Sequence, residues 1–362
     1  MLTRRQFNRL AAAAGAGLIA SPHVARSQSI DTIRLGNASG IIDAQLTFMT
    51  VGQNPKTPFY KDENVAMEIV NLGGSAQTIQ AILAGHVDCS AVSAPAFLNL
   101  AVKNPNIDLM FPYIWLRQVH WSVIVKPDSP VKELKDLKGK LIGIRNQGDT
   151  GYIAARSMFE EIGINPDKDV EWVPIGEGGP AGQALHSDRV AAMAFWDGGI
   201  SRIENAGFKV RHIPNSPLTK QLFGNGWAVR KSTFAQKKDA FTRFFRAMAK
   251  STVFAHTNVE GGIYLHWEVY PESKPKGKTE QEAMAEALNI LNNRKDKWFA
   301  GSWDPDQRLG AQSKEQWEAQ LKFLGLGGKI KDVTPYFTTE IIDNVNKFDR
   351  EAIAKQARAM KF

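Results

Sequence analysis

From residue 31 onward, the chain alternates short apolar segments with amphipathic segments of helical period. Residues 66–70 are apolar, residues 75–84 place Ala76, Ile79 and Ile82 on one helical face, and residues 87–92 are apolar again. A strand–helix–strand unit has this pattern. Its repetition predicts an α/β fold in which helices cover both faces of a mostly parallel sheet.

The alternation occurs in two runs, and the break between them predicts two lobes. Strand-like runs at 108–117 and 121–126 interrupt it, it restarts at 140–145, and residues 227–230 form a returning strand. Further helices are predicted at 42–52, 236–257, 279–294, 313–323 and 338–360. We expect lobe one to comprise 30–118 and 222–362 and lobe two 119–221, joined by two hinge crossings.

The first 27 residues have the pattern of an export signal. Arg4 and Arg5 precede a weakly hydrophobic run at 10–20, and small residues lead up to Ser27. This pattern is typical of a secretory signal, and the arginine pair is typical of a twin-arginine signal. We expect cleavage after Ser27 and a soluble protein in the periplasm. The alternative is a basic amphipathic helix of the mature fold.

Charge and motif content exclude several classes of function. The net charge is +8, and four arginines in residues 1–27 account for half of it, so the mature chain shows no basic surface for nucleic acid. Cys89 is the one cysteine, which excludes an intramolecular disulfide and a cysteine metal cluster. Histidine pairs with metal spacing, serine nucleophile elbows and nucleotide-binding loops do not occur. We expect no catalytic residue, metal or cofactor, and a monomer.

Turns rich in glycine and hydroxyl residues follow three predicted strands, and Ser93 begins a fourth helix. The turn residues of interest are Ser39, Gly40, Gly74, Ser75, Gly148, Asp149, Thr150 and Gly151. Ligands of open parallel sheets bind beyond the carboxyl ends of strands, where the first helical N–H groups are free. Helix capping explains any one of these turns better, but their recurrence in both lobes favours a ligand site.

Tryptophans cluster near the predicted crossings and strand ends. Trp121 lies at a crossing and Trp196 at the end of a strand, so both are predicted to contact a ligand. Core packing explains Trp115 and Trp227 equally well. Asp197 follows Trp196 and is predicted either to bind a ligand amine or to cap the next helix.

Four segments of the chain, taken in order and spacing, carry a family resemblance. They are residues 73–75 (Gly-Gly-Ser), 83–88 (Leu-Ala-Gly-His-Val-Asp), 134–143 (Leu-Lys-Asp-Leu-Lys-Gly-Lys-Leu-Ile-Gly) and 148–151 (Gly-Asp-Thr-Gly). Together they resemble periplasmic solute-binding proteins of ABC importers, of the sulfonate, taurine and nitrate type. That group is similar to binding proteins for thiamine-pyrimidine precursors. The resemblance implies the two-lobed periplasmic binding protein fold of type II, with the ligand held between the lobes.

We therefore expect a protein that captures a small organic anion and delivers it to an ABC permease in the inner membrane. Helix starts favour a sulfonate or carboxylate, and tryptophans favour an aromatic or otherwise apolar body. Two alternatives stay open: an enzyme folded before twin-arginine export, and a ligand-sensing partner of a membrane receptor. Pyrimidine-forming enzymes of the resembled family rely on a cysteine-rich stretch, which a single Cys89 does not supply.

Overall fold

The computed structural model describes residues 30–300 and 307–362, so the predicted export signal lies outside the described residues. The strands of the described part are β1 (Asp31–Asn37), β2 (Val65–Asn71), β3 (Cys89–Ser93), β4 (Met110–Ile114), β5 (Trp121–Val125), β6 (Leu141–Ile144), β7 (Glu171–Pro174), β8 (Ala192–Trp196), β9 (Arg211–His212) and β10 (Asn225–Val229).

The α-helices of the same part flank these strands and make up most of the chain after β10. They are α1 (Thr47–Thr50), α2 (Phe59–Asp62), α3 (Ser75–Leu83), α4 (Ala94–Lys103), α5 (Thr150–Glu161), α6 (Gly179–His186), α7 (Asp197–Asn205), α8 (Lys231–Thr257), α9 (Val259–Val269), α10 (Glu280–Lys295), α11 (Lys314–Phe323), α12 (Ile342–Val345) and α13 (Arg350–Ala359). None of the helices described is both long enough and apolar enough to cross a membrane.

The strands form two five-stranded sheets, with the orders β2-β1-β3-β10-β4 and β7-β6-β8-β5-β9. In the first sheet β1 is parallel to β2 and β3, whereas β10 is antiparallel to β3 and β4. In the second sheet β6 is parallel to β7 and β8, whereas β5 is antiparallel to β8 and β9. The predicted α/β class is confirmed, and each sheet is mixed, with two parallel and two antiparallel strand pairings.

The chain passes between the two sheets twice. It leaves β4 and enters the second sheet at β5, and it leaves β9 and returns to the first sheet at β10. The connecting segments are residues 115–120 and 213–224. The first crossing ends where Trp121 pairs with Trp196 at the end of β8, and both crossings adjoin the start of β10. The exact bounds of the two lobes stay a prediction.

Aromatic side chains of the C-terminal helices complete the core of the first sheet. Phe241, Phe244 and Phe245 of α8 are fully buried and pack in one cluster with Ile33 and Leu35 of β1. On the other side, the ring of Trp317 in α11 lies among aromatic rings, 5.1 Å from that of Phe223 and 5.0 Å from that of Phe111. This C-terminal region therefore supplies core to the first sheet.

Two helix predictions are wrong in their extent. Residues 42–52 form only the short α1, flanked by single 3₁₀ turns at Ala44–Leu46 and Val51–Gln53. Residues 338–360 form two helices, and α12 ends beside Asn346, whose side-chain amide donates to the Ile342 carbonyl at 2.8 Å and also bonds both backbone groups of Leu309. Asp349 then caps α13 by accepting from the Ala352 N–H at 2.9 Å. Such side-chain bonds to backbone compete with helix continuation.

Candidate functional site

A cavity lies where β1, β6 and β8 end, and residues connected to both sheets line it. The space open to a water-sized sphere is about 50 Å³, so the cavity is narrow in this arrangement of the sheets. In open α/β sheets, small-molecule sites lie beyond the carboxyl ends of the strands. Apolar groups form part of the wall, among them Leu35, Leu46, Phe48, Met49 and Ala91.

The starts of α3 and α5 meet across this cavity. The hydroxyl oxygens of Ser75 and Thr150 are 3.3 Å apart, and Ser75 Oγ also accepts from the Ser93 N–H at 3.2 Å. Gly74 has a φ of +97°, and a Cβ there would lie 3.3 Å from the carbonyl oxygen of Gly148. Only glycine accommodates both the conformation and the approach without strain. The two predicted turns are thus brought together.

Most N–H groups of the turn at 148–151 bond within the turn. Gly148 donates to Asn146 Oδ1 at 2.9 Å, and Gly151 donates to Asp149 Oδ1 at 2.9 Å. The Asp149 N–H donates to the Asn146 carbonyl at 3.2 Å. Burial raises the pKa of Asp149 to about 6, against the opposing effects of the Gly151 N–H and Arg145. Asp149 is thus the cap of α5 and a buried acid on the cavity wall.

Trp196 lies between two guanidinium groups. The guanidinium carbon of Arg145 is 5.0 Å from the centre of its ring, and that of Arg202 is 5.8 Å away. Arg145 Nη1 lies 3.7 Å from Asp149 Oδ2, and Arg202 binds Asp43 at 2.8 Å. Cation–π contacts of this kind hold an indole ring in place. They also keep the two guanidinium groups beside Trp196 at the cavity.

The predicted site residues divide between the cavity wall and its supports. Ser39, Gly74, Ser75, Asp149, Thr150 and Trp196 line the cavity. The lining does not include Gly40, Ser93, Trp121, Gly148, Gly151 and Asp197. Ser93 caps α4, and Trp121 pairs with Trp196 across β5 and β8. Contact of any of these residues with a ligand stays a prediction.

Asp197 neither caps α7 nor lines the cavity, since its carboxylate is bound by two cations. Arg294 donates to Asp197 Oδ1, and Lys297 Nζ lies 3.0 Å from Asp197 Oδ2. Burial alone would raise the pKa of Asp197, but Arg294 and Lys297 together hold it well below its usual range. Its carboxylate therefore stays ionised and holds Arg294 at the cavity wall.

Sequence reasoning missed Arg294, Gln45 and His120, all of which line the cavity. One signal for Arg294 existed. It lies at helical spacing from Ala283, Ala287, Ile290 and Leu291, which form the buried face of α10. A charged residue that continues an apolar stripe must find a partner inside the fold. Trp115 and Trp227, assigned equally to core packing and ligand contact, lie in a core cluster and also line the cavity.

A family model described as NMT1/THI5 like matches residues 46–260, which is more than half of the chain. The chain belongs to the NMT1/THI5-like family. Among curated proteins, none matches the chain.

Solved structures with the same fold include sulfonate-binding proteins. A protein from Bordetella bronchiseptica RB50 has a TM-score of 0.67 and 17% identity over 87% of this chain and 97% of that one. The alkanesulfonate-binding protein SsuA from Xanthomonas axonopodis pv. citri, bound to MOPS, has a TM-score of 0.61 and 15% identity over 85% of this chain and 98% of that one. A conserved Candida albicans gene product with the generic periplasmic binding protein fold has a TM-score of 0.53 and 16% identity over 81% of this chain and 95% of that one. This chain therefore has the periplasmic binding protein fold.

In this NMT1/THI5-like protein, buried polar atoms without a hydrogen-bond partner gather on the cavity wall. Of fifteen such atoms among the described residues, eight belong to residues that line the cavity: Gln45 Oε1 and Nε2, Trp115 Nε1, His120 Nδ1, Trp196 Nε1, Asn225 Oδ1, Trp227 Nε1 and Arg294 Nε. Buried polar groups are ordinarily satisfied, and leaving one unpaired costs about 1–3 kcal/mol. Indole, guanidinium and amide N–H donors outnumber the acceptors. The wall therefore suits a ligand that carries several acceptor oxygens.

Proposed function

We propose that this chain is the solute-binding component of an ABC importer. It captures a small organic anion, a sulfonate or an aromatic carboxylate, in the cavity and delivers it to a permease of the inner membrane. Family membership and the periplasmic binding protein fold support this role. A structural relative, the alkanesulfonate-binding SsuA of Xanthomonas, was solved with the sulfonate-bearing buffer MOPS. The action proposed is binding without chemistry.

The observation that carries the proposal is the donor-rich wall set in apolar surroundings. The indole N–H groups of Trp115, Trp196 and Trp227 have no acceptor, and Phe48 and Leu46 lie on the same wall. Oxygens of a sulfonate or carboxylate accept several hydrogen bonds, while indole and phenyl rings bury a flat apolar body. The wall therefore favours an anion joined to an apolar group over a sugar or a cation.

The test is a thermal-shift screen followed by calorimetry. Alkanesulfonates, aromatic sulfonates, aromatic carboxylates, nitrate and pyrimidines are compared at matched concentrations. A true ligand present at about 100 times its Kd should add about 2.7 kcal/mol of stability. Stabilisation by an uncharged pyrimidine and by none of the anions would overturn the assignment of ligand class.

A tryptophan pair supplies the matched control. Trp196→Phe removes one indole donor and keeps a ring, so affinity should fall about threefold to tenfold, as the loss of one hydrogen bond predicts. Trp172→Phe makes the same change at a ring that packs on Tyr152, outside the cavity lining. Its affinity should equal that of the wild type. Equal affinities for both variants would count against the cavity as the binding site.

We further propose that the chain is exported to the periplasm by its twin-arginine signal and acts there as a monomer. The arginine pair and weakly hydrophobic run of residues 1–27 support this step. Replacing both Arg4 and Arg5 by Lys should leave precursor in the cytoplasm, which fractionation and immunoblotting measure. Normal periplasmic accumulation of that variant would refute the twin-arginine route.

A further inference from the structure

Arg294 places a buried cation on the cavity wall. It lies in the last turn of α10, its side chain is 4% exposed, and it lines the cavity. Its Nη2 donates to Asp197, while its Nε has no partner among the described residues. A buried guanidinium N–H without an acceptor is unfavourable, so an acceptor on a bound molecule would satisfy it.

In direct ion pairs, two cations at this end of the cavity meet one carboxylate. Arg294 and Lys297 share the single carboxylate of Asp197, with Lys297 Nζ 3.0 Å away. Burial lowers the pKa of the neighbouring His120 to about 3, so this imidazole is neutral near pH 7. On the opposite wall, by contrast, Arg145 has Asp149 as a counter-charge at 3.7 Å. The Arg294 end of the cavity is therefore the end that attracts one negative charge.

Aromatic rings lie directly beside this cation. The guanidinium carbon of Arg294 is 5.6 Å from the centre of the Trp115 ring. Phe48 stacks on Trp115 with centroids 4.5 Å apart and planes 4° apart, and Trp227 stacks on it at 5.7 Å. The indole N–H groups of Trp115 and Trp227 are both unpartnered. The three rings form a stack with Trp115 in the middle, so an apolar group of stacked rings adjoins a cation and two further donors.

We propose that Arg294 anchors the anionic group of the ligand, and that the ligand is an organic monoanion whose apolar body lies against the stack of Phe48, Trp115 and Trp227. This inference rests on the proposed binding function and specifies its ligand. It places the anion at α10, outside the residues 46–260 that the family model matches. It moves the anion away from the turn at 148–151, whose N–H groups largely bond within the turn.

The first test locates the anion seat without any organic ligand. Crystals of the protein are soaked in sodium bromide, and bromide is located by its anomalous scattering. We expect bromide in contact with Arg294 Nε in the wild type and none at that place in Arg294→Gln. Bromide at the turn at 148–151, or none in the cavity, would overturn the proposal. This test decides whether Arg294 binds an anion even if the importer function is wrong.

The second test measures binding of benzenesulfonate and of its uncharged analogue benzenesulfonamide by calorimetry. Arg294→Gln should weaken benzenesulfonate binding about 10- to 100-fold, as expected for a hydrogen bond to a charged group, and should change the sulfonamide little. Arg294→Lys keeps the charge and loses the Nε donor, so it should restore part of the affinity. Equal binding of benzenesulfonate by the wild type and Arg294→Gln would remove the anchor and leave the binding function standing.

Two further variants separate anchoring from folding. Arg294→Gln leaves Asp197 with Lys297 alone, so the double variant Asp197→Asn/Arg294→Gln removes the carboxylate together with its partner. It should melt cooperatively and still show the loss for benzenesulfonate. Lys297→Gln removes the other cation, whose side chain is 26% exposed and outside the cavity lining. It should weaken binding less than Arg294→Gln does, and a loss as large would contradict anchoring by Arg294.

Discussion

Asp149 is a helix cap that is also buried at the cavity wall. Its Oδ1 accepts the Gly151 N–H at 2.9 Å, and the residue is 5% exposed. Capping favours the ionised carboxylate, whereas burial disfavours it, and burial has the larger effect because the pKa rises to about 6. The residue that sequence reasoning chose for a ligand site is thus also a titrating group near neutral pH.

Asp149→Asn should change how stability depends on pH. In the wild type the folded state binds more protons than the unfolded state between pH about 4 and 6, so the contribution of Asp149 to stability falls as pH rises through that window. Asparagine keeps the cap but does not titrate. Between pH 4 and pH 6.5, the free energy of unfolding of the variant should therefore rise by about 2–3 kcal/mol relative to that of the wild type, measured by urea unfolding.

Comparing the wild type with Asp149→Asn separates the titration of Asp149 from that of the buried histidines. Burial lowers the pKa of His120 to about 3 and that of His266 to about 4. Their folded states bind fewer protons than the unfolded chain below pH about 6.5, so they make stability rise with pH. Both remain in the variant and cancel in the difference. A difference that does not vary with pH would contradict the raised pKa of Asp149.

At the scale of elements, α10 joins the C-terminal region to the helix that follows β8. Asn289 Nδ2 donates to Asn205 Oδ1 at 2.9 Å and Asn293 Nδ2 donates to Ser201 Oγ at 2.8 Å. Asn205 in turn donates to the Glu286 carbonyl at 3.1 Å. This ladder of amides runs along α7 and ends at the Asp197–Arg294 ion pair, so α10 positions both Arg294 and α7.

Asn289→Ala should destabilise the fold more than the same change one helical turn away from this interface. The side chain of Asn289 also reaches the Ser201 carbonyl at 3.4 Å and Glu204 at 3.2 Å. Loss of these bonds should cost about 1–2 kcal/mol. Asn292→Ala on the exposed face of α10 is the control, because the gain in helix propensity is the same in both. Equal unfolding free energies would show that the amide ladder adds nothing.

At the scale of the whole molecule, contacts across the cavity hold the two sheets close together. Arg202 of α7 binds Asp43, which follows β1, through Nε at 3.0 Å and Nη2 at 2.8 Å. Ser75 and Thr150 meet at 3.3 Å on the same side. If the sheets belong to two lobes that hinge at residues 115–120 and 213–224, these contacts favour the closed arrangement.

Arg202→Gln should open the ligand-free protein. The substitution removes the ion pair with Glu177 at 3.0 Å as well as the one with Asp43, and the Asp43 pair joins the two sheets. The radius of gyration from small-angle X-ray scattering should therefore rise, and a bound ligand should lower it again. Arg156→Gln is the control. Arg156 of α5 pairs at 2.6 Å with Asp167, which lies a few residues after the same helix, so this ion pair does not join the two sheets. The same radius for all three ligand-free proteins would argue against hinge motion.

Residues close in sequence were sufficient to predict the elements and several cavity-lining positions. The helical spacing of Ile79 and Ile82 predicts α3, and the apolar run that follows predicts β3. Both predictions use the local pattern alone. Parallel strands place each of the turns that contain Ser75 and Thr150 at the carboxyl edge of its own sheet, whereas their contact at 3.3 Å depends on how the two sheets meet. The long helix expected at 338–360 is instead two helices, and Asn346 between them binds Leu309, a contact that no local pattern contains.

By itself, then, the sequence determined the α/β class, the two sheets and the edge at which the cavity forms, because these follow from local period and chain direction. Only the tertiary structure decided which charge faces the cavity. Asp197 and Arg294 are 97 positions apart, and their pairing depends on how α10 packs on α7. At that contact Arg294 and Lys297 keep Asp197 ionised despite its burial, Arg294 Nε has no partner among the described residues, and the Arg294 guanidinium lies beside Trp115.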